Sequence, residues 1–240
     1  MFEISLGGPV ARLTLNRPEA RNAVPASGWT DLADAVNGAV ESGARLIMVS
    51  GSGTAFSAGA DLGDFQKMQG DSDACAAFRT NMRSGLDALR DTPLPTIALI
   101  DGPCYGAGVA LAMACDMRAV GPDAVFAITP AKMGISYPQE DIYALVRLVG
   151  PAQAARLLFP GAAIGAAEAL RIGLADFEAE AVDRLIEAIL VNDRGSIALL
   201  KRGIRLATQG IRSNEVLDRA FDAMIGSDVF AARLAGLRKR

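Results

Sequence analysis

The 240-residue chain contains no histidine. That absence removes Ser-His-Asp triads, Cys-His pairs and imidazole zinc sites, because each needs an imidazole. Chemistry is left to carboxylates, hydroxyls, lysine, backbone N–H groups or a ligand. Aromatic residues make up only 5%, so the core is expected to rest on Ala, Leu, Ile and Val. A strong charge of either sign is also missing. With 24 basic against 27 acidic side chains the net charge is −3, which gives no footprint for nucleic acid. The three cysteines, Cys75, Cys104 and Cys115, are odd in number and lack metal-ligand spacing, so reduced thiols are expected. The longest apolar stretch, Ala107 to Cys115, is too short to span a bilayer. Met1-Phe2-Glu3-Ile4 shows neither a basic segment nor a long apolar run, so no secretory signal is expected. These absences predict a cytoplasmic protein with neither a membrane nor a nucleic acid as partner. Arg238-Lys239-Arg240 reads as a solvated basic tip.

What is present is a folded composition, 51% apolar and 21% charged. The length suits one sizeable domain, or one domain with a helical extension. Residues 2–6 and 10–15 alternate around Gly7-Gly8-Pro9, predicting a β-hairpin. Helical spacing follows over 27–42. Leu46-Ile47-Met48-Val49 and Thr96-Ile97-Ala98-Leu99-Ile100 read as buried parallel strands, each followed by glycines and a helix. The first of those helices is expected from the mid-70s to Leu89, the second over 107–115. Gln69-Gly70-Asp71-Ser72-Asp73 reads as a loop over a pocket, and Asp64 as a helix cap. Two further short strands are expected at 117–120 and 125–128, with helix almost unbroken from about Glu140. Strand–helix alternation followed by a helical run predicts an α/β core with a helical C-terminal region.

The informative segments are two glycine loops, Gly51-Ser52-Gly53-Thr54-Ala55-Phe56-Ser57-Ala58-Gly59-Ala60-Asp61 and Asp101-Gly102-Pro103-Cys104-Tyr105-Gly106-Ala107-Gly108. Each follows a buried strand and precedes a helix. Such turns leave backbone N–H groups free to hold an anion, or a carbonyl that becomes one. A dinucleotide fingerprint is disfavoured: its third small residue falls on Leu111 in one loop and Phe56 in the other, and no phosphate-loop lysine follows either. Packing turns that need glycine for positive φ are the bland alternative.

Leu15-Asn16-Arg17-Pro18 with Asn22-Ala23, Ala55 through Leu62, Gly106-Ala107-Gly108 through Asp116, Leu148-Val149-Gly150 and Glu168 through Asp176 follow one another in order. Together they resemble the crotonase (enoyl-CoA hydratase/isomerase) superfamily over nearly the whole chain. The resemblance implies a crotonase-like α/β fold, a ββα spiral core over 1–190 holding an acyl-CoA site, and a helical oligomerisation region over 191–240. It implies a homotrimer or a hexamer made as a dimer of trimers, with no cofactor beyond the coenzyme A moiety of the substrate. By motif position the thioester enolate oxygen would be held by the N–H groups of Ala60 and Ala107. Ala58 and Asp61 stand where the family meets the adenine end of coenzyme A, and Arg17 and Arg21 are candidates for its phosphates, with a solvated surface pair as the alternative.

The chain departs from the family's hydratases at two positions. Their two water-activating glutamates correspond to Ala110 and Ala131. Adding water across a double bond needs a base for water and an acid for the α-carbon, so the standard hydration route lacks its groups. The nearest replacement acids are Glu140 and Asp141, just after Pro138, where a first helical turn would favour carboxylates in any case. Tyr137 is either a hydrogen-bond donor to substrate or a packing anchor. Nothing in the sequence activates Cys104 or Cys115. Double-bond isomerisation, which needs one proton shuttle, suits these residues better than hydration. Thioester hydrolysis and a catalytically degraded CoA-binding subunit stand as alternatives.

Overall fold

The computed structural model of the protein describes residues 1–237; the basic tip at 238–240 lies outside the described residues. The hairpin forms as expected, with β1 (Phe2–Ser5) antiparallel to β2 (Val10–Leu15). β2 then pairs in parallel with β3 (Leu46–Gly51), β3 with β4 (Thr96–Ile100), and β4 with the strand at Met117–Val120. A short layer stands beside this sheet: β5 (Pro103–Tyr105) runs parallel to β7 (Val125–Ala127), which pairs antiparallel with β8 (Ile164–Gly165). Counting Met117–Val120 as β6 and Phe177–Glu178 as β9, the main sheet has the order β1-β2-β3-β4-β6-β9.

The unbroken apolar run of β3 has a simple cause. Successive side chains point to opposite faces, and both faces are covered. Ile47 and Val49 enter the large core beneath α1 (Gly28–Glu41), α3 (Ser72–Asp91) and α4 (Ala107–Ala114). Leu46 and Met48 enter a smaller core closed by Val182 and Ile186 of α7 (Val182–Leu190). β4 divides in the same way, Ala98 and Ile100 inward and Ile97 outward. α4 sits in the middle of the large core, buried at every position from Gly108 to Ala114, which explains its lack of a polar face.

Several details differ from the sequence pattern. The expected loop over 69–73 is shorter: Gln69 and Gly70 form a turn, and Asp71 caps α3, which starts at Ser72, its carboxylate accepting from the N–H groups of Asp73 and Ala74. Asp61, rather than Asp64, caps the short α2 (Leu62–Lys67), and Asp64 instead accepts from the Ala26 N–H at 2.8 Å. The C-terminal half is interrupted by β8 and β9, two residues each and so too short to leave a period of two. α5 (Gln139–Leu158) breaks at Gly150, whose φ of +78° is left-handed, and at Pro151, which has no N–H to give. After α6 (Ala166–Ile172) and α7 come α8 (Arg194–Thr208), α9 (Glu215–Ile225) and α10 (Asp228–Leu237). Arg45 clamps the turn between α7 and α8 by donating to the carbonyls of Leu190 (2.6 Å) and Asn192 (2.5 Å). Lys201 ties α8 to the core through the Leu94 carbonyl and the Asp116 carboxylate, both at 2.8 Å. Among the described residues, no helix is long and apolar enough to cross a membrane.

Candidate active site

The two glycine loops lie side by side and are stitched by backbone hydrogen bonds. Ser57 N donates to Pro103 O at 3.0 Å and Tyr105 N to Ser57 O at 2.8 Å. The approach is close enough to require glycine. A Cβ on Gly102 would fall 2.1 Å from Thr54 O; one on Gly59 would fall 2.7 Å from Tyr105 O and 3.2 Å from Ala107 N, at a φ of +98°. Asn22 pins the first loop from below: buried and left-handed, it donates to Ser52 O and Ala55 O and accepts from Arg17 N. Buried Ser57 donates its hydroxyl to Asn22 O at 2.8 Å, so it is a structural turn residue here.

Within this frame most backbone N–H groups are engaged, the first-turn amides of Leu62 and Gly108 excepted. Ala58 N donates to Arg21 O, Gly59 N to Ser57 Oγ and Asp61 N to Val24 O. Gly106 N donates to Ala127 O, while Val109 N and Ala110 N turn back to Gly106 O. Among the described residues, the N–H groups of Ala60 and Ala107 donate to nothing. Both alanines are half-buried, and the Ala107 N–H opens α4, whose positive dipole end adds to its pull on a negative oxygen. Two free donors on adjoining backbone segments form an arrangement suited to a developing oxyanion.

The polar residues around the loops divide into committed and free. Asp61 accepts from Gly63 N at 2.9 Å and from Arg17 Nη1 at 3.0 Å, and Arg17 also donates to Ala23 O, so that pair belongs to the frame. Arg21 is exposed, and its guanidinium has no partner among the described residues; its own carbonyl holds Ala58.

The two alanines read from the sequence as standing in for glutamates are differently placed. Ala110 is wholly buried on α4, whereas Ala131 is exposed in a short 3-10 turn over Pro130–Met133. The structure gathers five other groups near this end of α4. Tyr137, buried, donates its hydroxyl to Gly106 O at 2.9 Å. Asp141, its side chain 0% exposed, takes Arg83 Nη1 at 3.2 Å and Arg90 Nη2 at 3.6 Å on one oxygen, while its Oδ2 has no hydrogen-bond partner. Glu140 takes the same Arg83 nitrogen at 2.7 Å but is 64% exposed. Burial pushes the Asp141 carboxyl above its ordinary range against the pull of Arg83 and Arg90. Burial first, and then the Asp141 charge, pushes the Tyr137 phenol well up and keeps it neutral. Burial likewise raises Cys104, and it raises Cys115 to about 12, so neither is a thiolate nucleophile.

Arg83 and Arg90 went unseen in the sequence. The available signal was spacing: Arg83, Asp87 and Arg90 recur on one face of α3, next to the buried stripe of Met82, Leu86 and Leu89. Their partners lie more than fifty residues away.

Comparison with known proteins agrees with this architecture. Residues 6–221 match the Enoyl-CoA hydratase/isomerase family. The probable enoyl-CoA hydratase echA6 of Mycobacterium bovis is 32% identical, the alignment covering 100% of this chain and 97% of that protein. The enoyl-CoA isomerase/hydratase fer4 of Mycosarcoma maydis is 33% identical over 70% of this chain and 64% of its own length. A crystal structure of an enoyl-CoA hydratase/isomerase family protein from Hyphomonas neptunium superposes with a TM-score of 0.93 at 32% identity, covering 100% of this chain and 95% of that one. The chain belongs to the enoyl-CoA hydratase/isomerase family and is an enoyl-CoA hydratase/isomerase-like enzyme on a mixed α/β core.

Proposed function

We propose that this enzyme binds an acyl-CoA thioester, stabilises its enolate between the N–H groups of Ala60 and Ala107, and moves a double bond instead of hydrating one. One observation carries the reading: those two N–H groups are free while Ala58, Gly59, Asp61, Gly106 and Val109 N–H are engaged, and the two loops approach so closely that a Cβ on Gly59 would fall 3.2 Å from Ala107 N. Each preorganised donor of this kind is worth about 2.7–4 kcal/mol at an enolate oxygen. Water addition has no paired carboxylates to use, since Ala110 and Ala131 replace them. Isomerisation needs one group to remove a proton from the α-carbon, leaving a dienolate, and return it at the γ-carbon as the double bond moves into conjugation. Asp141 suits that task better than Glu140: it is buried beside Tyr137, has one oxygen free, and has a raised carboxyl. Glu140 faces solvent and holds Arg83.

Coenzyme A needs only backbone and surface groups in this scheme. Ala58 and Asp61 would meet the adenine end through their backbones, because the Asp61 carboxylate is already spent on Gly63 and Arg17. The free guanidinium of Arg21 would meet phosphate. No cofactor beyond the substrate's own coenzyme A is required. The setting we infer is the cytoplasm, with the exposed apolar faces of α8 and α9 covered in a trimer or a dimer of trimers.

The test is to incubate the protein separately with crotonyl-CoA and a 3-enoyl-CoA and identify products by mass and chromatography. Conversion of 3-enoyl to 2-enoyl-CoA without hydroxyacyl product is expected. Asp141→Asn should reduce it by about 10²-fold or more, and Glu140→Gln by less than about threefold. Hydroxyacyl-CoA from crotonyl-CoA would overturn the isomerase reading, free coenzyme A would indicate hydrolysis, and binding without turnover would indicate a CoA-binding subunit.

A further inference from the structure

The oxyanion donor at Ala107 belongs to a peptide unit whose other end is occupied in an unusual way. The Ala107 N–H and the Gly106 C=O are two ends of one planar, resonance-coupled group. Gly106 O receives three donors: Val109 N at 3.0 Å, Ala110 N at 3.3 Å and the Tyr137 hydroxyl at 2.9 Å. The first two are what any helix start supplies. The third comes from a separate segment and is the best aligned with a single purpose, since a buried tyrosine must place its hydroxyl somewhere and this one has placed it on the carbonyl whose amide faces the site.

We propose that Tyr137 is a positioning residue for enolate stabilisation, its hydroxyl fixing the plane of the Gly106–Ala107 peptide and polarising it so that the Ala107 N–H becomes a stronger donor. The proposal rests on the acyl-CoA reading above. Hydrogen bonds to a carbonyl shift electron density toward oxygen and make the attached N–H more positive, which is how chains of hydrogen bonds strengthen one another. The plane needs fixing because Gly106 sits at φ +49°, ψ −115°, a conformation only glycine adopts readily, and so resists drift only through its outside contacts. Gly106 N is held by Ala127 O on one side, and Tyr137 holds the carbonyl on the other.

The surroundings suit that role. Pro138 restricts Tyr137 to extended backbone, and its carbonyl accepts from Asp141 N and Ile142 N, so the tyrosine is anchored to the first turn of α5. The hydroxyl proton is committed to Gly106 O, so Tyr137 acts through the peptide and not as the proton shuttle.

The experiment uses 2,4-hexadienoyl-CoA, a conjugated thioester whose absorbance moves to longer wavelength when its carbonyl is polarised, with affinity measured separately by calorimetry. Wild-type protein should bind it with a red shift, and Tyr137→Phe should bind within about twofold of the same affinity while losing half or more of that shift. In turnover of a 3-enoyl-CoA the same variant should lose kcat on the order of tenfold with KM nearly unchanged. A folded Tyr137→Phe with the full wild-type shift overturns the proposal. If Tyr137→Phe does not fold, 3-fluorotyrosine in a Tyr105→Phe, Tyr143→Phe background leaves one more acidic phenol at 137; a larger red shift than with ordinary tyrosine supports the proposal, and an unchanged one overturns it. Failure of the underlying reading has its own signature: wild-type protein that does not bind the probe, or binds it with no red shift, removes the oxyanion site and the role of Tyr137 with it.

Discussion

Gly59 and Ala107 come from different loops, yet a Cβ added to Gly59 would stand 3.2 Å from the Ala107 nitrogen and 2.7 Å from Tyr105 O. The backbone segments that carry the two free donors thus approach too closely for a side chain at 59. Gly59→Ala should therefore separate them while leaving both N–H groups in place. A displacement of about 1 Å at a reacting centre costs roughly 10²-fold, so kcat on a 3-enoyl-CoA should fall by about that factor, with coenzyme A binding changed far less. Gly38→Ala is the control: it lies in α1 with nothing within 4 Å of its added carbon, and it should raise stability by about 0.5–1 kcal/mol without affecting rate. Equal loss in both variants would dissociate the activity from the loop contact.

Asp141 has a defined effect on stability against pH. Its carboxyl is raised in the folded protein by burial, so between the ordinary carboxylate value and the raised one the folded state binds more protons than the unfolded state. Stability then falls as pH rises through that window and is level above it. Asp141→Asn should remove this component of the slope in urea titrations taken at a series of pH values. A slope that survives the substitution would assign it to other groups.

Arg83 keeps that carboxylate chargeable. Arg83→Met leaves Asp141 only Arg90, 3.6 Å away, and should push its carboxyl further up while destabilising the protein by about 3 kcal/mol, the low end for a broken buried pair because Arg83 retains some solvent. The rate-against-pH profile of isomerisation should move to higher pH by the same cause. A profile that stays in place would place the shuttle elsewhere.

Much of this was legible in local sequence. The apolar runs of β3 and β4 and the glycine spacing at 59, 102 and 106 carry their own physics, since buried parallel strands and tight loops demand those residues in order. The link from Arg83 to Asp141 and Tyr137 was not legible, because Arg83 on α3 lies 58 residues from Asp141 and meets this pair only through the fold. The Asp71 cap was hidden for the opposite reason: Gly70 beside a run of small polar residues favours a loop by composition, and only the two N–H groups it satisfies reveal a helix start. Strands of two residues, β8 and β9, have no periodicity to read.

The cysteines give an independent check on the core. Cys75 is exposed, while Cys104 and Cys115 are buried with raised thiols. A colorimetric disulfide reagent should titrate one thiol per chain in native buffer and three in denaturant. Fast reaction of a second thiol, if mapped to Cys104, would mean that the loop at 101–107 opens readily, because Cys104 is its buried member.

The C-terminal helices predict an assembly. None of α8 or α9 is buried in the single chain. Leu200 and Ile204 stand one turn apart on α8, 66% and 67% exposed, and Phe221 and Ile225 repeat the spacing on α9. Apolar stripes of this kind at i, i+4 are built to be covered. Sedimentation at micromolar concentration should give a mass of three or six times the 25.0 kDa chain. Ile204→Asp with Phe221→Asp should shift it toward the single chain, since a charge in an apolar interface has no partner to offset its desolvation. The N–H pair at Ala60 and Ala107 lies in the chain's own core loops, so a dissociated variant that still binds coenzyme A thioesters would place assembly outside the oxyanion site, and one that loses binding would make a neighbouring subunit part of the pocket.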